Sequence, residues 1–302
     1  MSEPSNDLPP SASAAEAASG VVTRLSPLIR RLIARNPSPF TFTGTCSYIV
    51  GQGEVAVIDP GPADEAHVAG LVAAVAGERV SHILVTHTHR DHAAAAPMLK
   101  ARTGAPIVGA RAHVPHEGSP GLDAAHERDY APDAELADGE RIEGRGFTLE
   151  TVATPGHAAN HLCFALLQEN ALFSGDHVMA WSTSVVAPPD GSMADYMASL
   201  EKVRRRDAAI YWPGHGGPVR EPQRYVRALA SHRRQREAAI LVRLEAGDTE
   251  IAEIVARVYA GLAPALIRAA SLSTLAHLED LIARGLVVSD GAAGLEARFR
   301  RA

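Results

Sequence analysis

The 302-residue sequence predicts an α/β domain followed by a small, mainly helical module at the C-terminus. Between about residues 45 and 219, short runs rich in β-branched residues alternate with alanine-rich stretches of helical periodicity. After Pro218 the pattern changes to three successive helical stretches and then to two short strand-like runs around a glycine-containing turn. Because no repeat of fixed period is present, a solenoid is not expected.

Eight runs have the composition of strands: CSYIVG, EVAVIDPG, HILVTH, PIVGA, FTLETVATPG, LCFALL, ALFSGD and AIYWPGHG. Helices are predicted over residues 63–76, 91–104 and 192–206, with Ser192 or Asp195 able to cap the last one. A long helix ending at Gly247 and two shorter ones, each closed by glycine, follow.

The chain is expected to divide into three parts. Residues 1–20 are rich in Ala, Ser and Pro without apolar periodicity, which predicts a disordered tail. We assign residues 21–225 to the α/β domain and residues 226–302 to a winged-helix-like module of three helices and a hairpin. The hydrophobic fraction of 46% is sufficient for a full core.

Composition argues against several broad classes of protein. The net charge of −6 does not indicate general nucleic-acid binding. Cys46 and Cys163 lie in apolar runs, where buried free thiols are expected rather than a disulfide framework. No apolar run reaches the roughly 18 residues of a membrane span, and the N-terminal stretch has no signal-peptide pattern, so a cytoplasmic location is expected.

The segment ILVTHTHRDH at residues 83–92 places four metal-binding side chains, His87, His89, Asp91 and His92, directly after an apolar strand. Imidazoles and carboxylates suit borderline divalent ions such as zinc, and no thiolate is present to close a structural site. The pattern therefore predicts a catalytic metal site, with room for two ions.

Three further candidate ligands each follow an apolar run at a glycine-containing turn. VATPGHAAN contains His157, ALFSGDHV contains Asp176, and YWPGHGGP contains His215. Strand ends in α/β architectures meet at one rim, where loops carry polar groups on a rigid support. We therefore expect the four segments to converge on one site.

In this order and at these separations, the HxHxDH, TPGH, SGD and GHG segments resemble the metallo-β-lactamase superfamily. The resemblance implies a four-layer αββα sandwich. It also implies that His87, His89 and His157 hold one metal, that Asp91, His92 and His215 hold a second, and that Asp176 bridges them. Asp59, in VIDPG, is implied to support the ligands.

The resemblance is closest to the β-lactamase-like protein 2 family, through NPSPFTFTGTCSYIVG at residues 36–51, HRRQRE at residues 232–237 and the C-terminal helices. That family has a winged-helix-like C-terminal domain, and some members are implied to be single-strand-specific endoribonucleases. This sequence departs from the family pattern at Cys46 and Ser47, where Asn and Thr are usual, and the departure concerns the neighbouring pocket.

A metal-dependent hydrolase is the predicted function, with two Zn²⁺ ions and with Mn²⁺ or Fe as alternatives. Metal-bound water has a pKa of roughly 7, so a bridging hydroxide is the expected nucleophile. We expect Asp91 to orient it and to assist proton transfer.

The closest resemblance favours single-stranded RNA as the substrate, and a small ester or thioester, as in glyoxalase II or acyl-carrier thioesterases, is the runner-up. Further alternatives are a non-catalytic nucleic-acid-binding scaffold, a one-iron sulfur dioxygenase and a β-lactamase. The β-lactamase activity is disfavoured because secreted lactamases need an export signal. A homodimer is a possible assembly state.

Several other residues are singled out without a place in the ligand pattern. His161 and His177 lie next to proposed ligands, and a supporting, a substrate-facing or a structural role fits them. We expect three arginines on a helix to be exposed to solvent: Arg233, Arg234 and Arg236. Trp181 is expected in the core. A solvated or structural role is the default for six further histidines, His67, His113, His116, His126, His232 and His277.

Overall fold

The computed structural model describes residues 18–112 and 125–302, in which two large β-sheets pack face to face. The seven strands of the first sheet lie in chain order, with the first four antiparallel and the last four joined in parallel. They are β1 Thr23–Arg24, β2 Ile29–Ile33, β3 Cys46–Gln52, β4 Glu54–Ile58, β5 Arg79–Val85, β6 Ile107–Gly109 and β7 Ala134–Glu135.

The second sheet has five strands in the order β12-β11-β10-β9-β8, and only the β11–β12 pair is parallel. Its strands are β8 Arg141–Gly144, β9 Phe147–Ala153, β10 Leu162–Leu166, β11 Ala171–Gly175 and β12 Ile210–Pro213. Alternating apolar residues of both sheets, such as Tyr48 and Phe173, fill the space between them.

Helices cover the outer face of each sheet. The first sheet packs against α1 Glu65–Ala74 and α3 Ala96–Thr103, and a short α2 Arg90–Ala93 precedes α3. The second sheet packs against α4 Met193–Arg204 and α5 Pro222–Glu245. The two sheets and their helices form the predicted αββα sandwich, because each sheet buries both of its faces.

The C-terminal module consists of the end of α5, α6 Ile251–Val258, α7 Ile267–Ala283 and the antiparallel pair β13 Val287–Ser289 and β14 Phe299–Arg301. It has its own apolar cluster, while Ala276 of α7 also packs in the layer beside the second sheet. The expected boundary between residues 225 and 226 falls inside α5, and the division there stays a prediction.

The predicted elements are largely confirmed, and the differences have local causes. The helix expected over residues 91–104 is divided into α2 and α3, since Pro97 is tolerated in a first helical turn but not inside a continuous helix. Ser192 caps α4 by accepting a hydrogen bond from the Asp195 amide. The strands β1, β2, β7 and β8 lie outside the eight predicted runs, because they are short or, as in IRRLI, contain charged residues.

The expected disordered tail falls largely on residues 1–17, which lie outside the described residues, as do His113 and His116. Both cysteines are buried and free, as expected. Within the described ranges, no helix is both long enough and apolar enough to cross a membrane.

His277 on α7 provides a test of how the C-terminal module is packed. Its side chain is buried, and neither ring nitrogen has a hydrogen-bond partner among the described residues. Burial, with the nearby Arg233, lowers the pKa of His277 to about 3, whereas the pKa in the unfolded chain is about 6.5. The contribution of His277 to the free energy of unfolding is therefore complete above pH 6.5. It is lost as the pH falls towards 3, because His277 binds a proton more readily in the unfolded chain than in the folded protein.

We expect His277→Leu to reduce the loss of unfolding free energy between pH 7 and pH 5 by up to about 2 kcal/mol. Chemical denaturation of the metal-free proteins at both pH values measures this difference. An identical loss in the wild type and the variant would contradict the burial of an uncharged imidazole.

Candidate metal centre

The predicted ligands lie where strands of both sheets end. His87, His157, Asp176 and His215 follow β5, β9, β11 and β12, in turns that contain glycine or threonine. Backbone hydrogen bonds from Leu162 to Thr86 and from Cys46 to Gly214 tie the two sheets together at this edge. The expected convergence is thus present: all seven predicted ligands lie in three overlapping groups that could each hold a metal ion.

The first group contains His87, His89 and His157. Nδ1 of His89 lies 2.9 Å from Nε2 of His87 and 3.1 Å from Nε2 of His157. The three rings contact one another mainly edge to face, which points their nitrogens at a common centre.

The second group contains Asp91, His92 and His215. Nε2 of His215 lies 3.3 Å from Nε2 of His92 and 3.2 Å from Oδ2 of Asp91. Asp176 lies between the two groups, because its carboxylate is 3.3 Å from His215, 3.5 Å from His92 and 3.7 Å from His157.

These separations are compatible with ligands of a common metal ion as well as with hydrogen-bonded side chains. Two nitrogens that each lie about 2.1 Å from a tetrahedral zinc ion are about 3.4 Å apart. Oδ1 of Asp176 is buried and has no hydrogen-bond partner among the described residues, although a buried carboxylate oxygen normally has one. The donor set and this oxygen therefore fit a divalent metal centre, in which the Asp176 carboxylate lies within reach of both groups.

Asp59 fixes the orientation of the candidate ligand His92. It is buried, and Oδ2 lies 2.9 Å from Nδ1 of His92. The amide and hydroxyl of Thr86 also donate to this carboxylate, each at 2.8 Å. Because the Thr86 hydroxyl gives its hydrogen to Asp59, it accepts from Nδ1 of His87 at 3.0 Å, which leaves Nε2 of His87 unprotonated, the form that can bind a metal.

Backbone carbonyls contact two more candidate ligands, His157 and His215. Nδ1 of His157 donates to the carbonyl of Val185 at 2.6 Å, and Nδ1 of His215 lies 3.4 Å from the carbonyl of Gly44. His161 supports Asp176, because its Nε2 accepts the Asp176 amide at 3.1 Å. Of the roles left open for His161, this contact favours support of the candidate ligand Asp176.

Burial keeps the imidazoles of the first group uncharged. It lowers the pKa values of His87 and His89 well below their usual range, and neighbouring histidines lower them further. Both rings are therefore neutral at pH 7, the form in which imidazole binds a metal.

The second group is electrostatically different in the metal-free protein. Burial alone would lower the pKa of His92, but Asp91 and Asp176 outweigh it and raise that pKa well above its usual value. Likewise Asp176 outweighs burial at His215 and raises its pKa to about 10. Metal binding at this group therefore releases protons.

An aromatic pair lies beside the turn that contains His215. Phe42 and Trp181 are stacked with ring centroids 5.0 Å apart, and both are half-buried. A Cβ on Gly216 would lie 2.8 Å from Trp181, so the pair lies directly beside the residue that follows His215. The pair therefore places an apolar surface next to the candidate ligand His215.

The expectation that the arginines of HRRQRE are solvated is wrong for Arg233. Its side chain is buried and donates to the carbonyl of Ser184, whereas Arg234 is exposed as expected. The contact joins residues 49 positions apart. No sequence pattern signals it, because a carbonyl acceptor is present at every position.

The fold and the candidate site define an αββα protein with a histidine- and aspartate-rich metal-binding cluster, and sequence comparison identifies the family. Residues 40–215 match the metallo-beta-lactamase superfamily, and residues 251–295 match the beta-lactamase associated winged helix domain. The chain therefore belongs to the metallo-beta-lactamase superfamily and is a hydrolase-fold protein with a C-terminal winged helix domain, as predicted.

Two curated relatives narrow the comparison. The chain is 33% identical over 225 residues to an atrochrysone carboxyl ACP thioesterase of Aspergillus fumigatus, covering 73% of this chain and 66% of that protein. It is 30% identical over 259 residues to a beta-lactamase-like protein 2 homolog of Caenorhabditis elegans, covering 84% of this chain and 83% of the relative. The second match confirms the resemblance to that family.

A solved structure supports the complete architecture. The chain is similar to a metallo-beta-lactamase family protein of Thermus thermophilus, with a TM-score of 0.73 and 25% identity. The match covers 92% of this chain and all of that structure, so it includes both the sandwich and the C-terminal module.

Proposed function

We propose that this protein is a metal-dependent hydrolase of acyl thioesters, with His87, His89, Asp91, His92, His157, Asp176 and His215 as metal ligands. The similarity to a protein named as an acyl-carrier-protein thioesterase carries this choice of substrate. The chain spans about two thirds of that relative, 66% of its length, so the activity is an inference for this protein.

The two metal groups are proposed to bind zinc. Five imidazoles and two carboxylates favour zinc over hard cations such as magnesium, and Mn²⁺ or Fe would also accept this set. When bound, two such ions polarise a substrate carbonyl and lower the pKa of water.

Asp91 is the proposed catalytic residue. Its side chain is 28% exposed, more than Asp176 at 10%, so it faces the open side of the site. The hydroxyl of Thr45 lies 3.3 Å from its Oδ2, and with His215 it fixes the orientation of the carboxylate. A carboxylate held in this way can accept a proton and pass it to the leaving thiolate.

The Phe42–Trp181 pair supports an acyl substrate. Its apolar faces lie beside His215 and Gly216, where they would cover the hydrocarbon part of an acyl group whose carbonyl is at the metals. Aromatic or long acyl groups should therefore be preferred over acetyl.

The other predicted functions remain alternatives. Single-strand-specific cleavage of RNA rests only on the family resemblance, and no described feature favours it over thioester hydrolysis. A non-catalytic nucleic-acid-binding scaffold, a homodimer and the cytoplasmic location likewise stay predictions.

One preparation of purified protein can test the proposed function. Bound metal is measured by mass spectrometry, and thiol release from acetyl and aromatic acyl thioesters is followed with and without chelator. We expect about two zinc ions per chain and hydrolysis that chelator abolishes and added zinc restores.

Single-stranded RNA is assayed in parallel with the same preparation. Salt-sensitive cleavage of RNA without thiol release would replace the thioesterase proposal with the endoribonuclease prediction. A single bound iron would indicate oxidation chemistry, and absence of metal and activity after reconstitution would leave only the scaffold.

A further inference from the structure

Arg233 is a buried cation without a counter-ion in the described part of the chain. It lies on α5, its side chain is 3% exposed, and no described carboxylate lies within 4.0 Å of it. Its Nε also has no hydrogen-bond partner among the described residues. Burying a charge in this way carries a large desolvation penalty, so the contacts that Arg233 does make need an explanation.

Two contacts hold the guanidinium in place. Nη2 of Arg233 donates to the carbonyl of Ser184, and the guanidinium carbon lies 5.1 Å from the centre of the Tyr196 ring. Both partners belong to the α/β sandwich, whereas α5 continues into the C-terminal module. Arg233 therefore joins the module to the segment that contains Ser184.

That segment contacts two proposed metal ligands. The hydroxyl of Ser184 lies 2.5 Å from the Asp176 carbonyl and 2.9 Å from the His177 carbonyl, and it donates its hydrogen to this pair. The carbonyl of the next residue, Val185, accepts from Nδ1 of His157 at 2.6 Å.

Tyr196 contacts both the backbone after Asp176 and Arg233. Its hydroxyl donates to the carbonyl of His177 at 3.1 Å, and its ring packs against the guanidinium of Arg233. Arg233 thus contacts both of the groups that hold the backbone after Asp176.

We propose that Arg233 is a positioning residue for the metal centre, which fixes residues 184–185 and through them the orientation of His157 and Asp176. This inference rests on the proposed metal centre but not on the choice of substrate. It also gives the HRRQRE segment a role, because the buried arginine couples the winged helix module to the ligands.

The test compares Arg233→Met and Arg233→Lys with Arg234→Met, a matched control on the exposed side of the same helix. Zinc affinity is measured by competition with a chromogenic chelator, and the visible absorption of the Co²⁺-substituted protein reports ligand geometry. We expect Arg233→Met to lower metal affinity by about 10- to 100-fold and to alter the Co²⁺ spectrum. Arg233→Lys should recover part of the affinity, and Arg234→Met should match the wild type.

Thermal unfolding of the metal-free variants separates positioning from packing. A folded Arg233→Met protein with wild-type zinc affinity and Co²⁺ spectrum would overturn the proposal, as would Arg233→Lys that is no better than Arg233→Met. If Arg233→Met does not fold, Ser184→Ala replaces it, and wild-type zinc affinity in that variant would also overturn the proposal. A wild-type protein that binds no metal would instead contradict the proposed function itself.

Discussion

Asp91→Asn should lower kcat for thioester hydrolysis by about 10²- to 10⁴-fold, the range expected for loss of a general acid–base group. The amide keeps the shape of the side chain but cannot accept a proton. It also weakens the contacts with His92 and His215, whose nitrogens lie 3.4 Å and 3.2 Å from Oδ2 of Asp91. The proposed roles of Asp91 in proton transfer and in metal binding are therefore both affected.

Metal titration separates these two roles. Activity is measured at saturating zinc, with bound metal determined in the same samples, and Asp195→Asn on the exposed first turn of α4 is the matched control. A deficit that persists at full metal occupancy supports proton transfer by Asp91. Recovery of the wild-type kcat at saturating zinc would limit Asp91 to metal binding.

Asp59→Asn is expected to have the second largest effect, a loss of metal affinity by about 10- to 100-fold. The carboxylate accepts hydrogen bonds from the amide and hydroxyl of Thr86 and from Nδ1 of His92. Asparagine has only one accepting oxygen, whereas Asp59 uses both of its oxygens as acceptors. In either orientation the NH₂ group of the asparagine would therefore face another hydrogen-bond donor. Each lost hydrogen bond to a buried charged group contributes about 1.5 to 3 kcal/mol to stability.

Two measurements follow the effect of Asp59→Asn. Chelator competition gives the zinc affinity, and denaturant unfolding of the metal-free protein gives the change in stability. Thr86→Val removes only the hydroxyl and should have a smaller effect on both. Unchanged zinc affinity in Asp59→Asn would show that His92 is held in place without this carboxylate.

Much of the fold follows from local sequence features. Strands such as those in HILVTH and ALFSGD are short, β-branched and bounded by glycine or a polar turn, and all eight predicted strands are present. Local periodicity is weaker where strands are short or charged, so β1, β2, β7 and β8 depend on pairing with neighbours that lie elsewhere in the chain.

The predicted ligands could be found because each has a local signature. His87, His157, Asp176 and His215 each follow a strand at a turn, and the carboxyl ends of strands meet at one edge of the sandwich. The HxHxDH spacing also keeps three further ligands within one loop and the start of α2. These residue types have few other reasons to occur together at such turns.

By itself, the sequence determined the αββα class, the order of the elements, the C-terminal winged helix module and the set of candidate ligands. Only the tertiary structure decided how the candidate ligands are oriented. His157 and His215 contact the carbonyls of Val185 and Gly44, and the Asp176 amide donates to His161. Arg233 holds the Ser184 carbonyl. Backbone carbonyls and amides occur at nearly every position and leave no mark on composition or periodicity. Their choice of partner depends on packing between segments that are distant in the chain, which is why the buried arginine was expected in solvent.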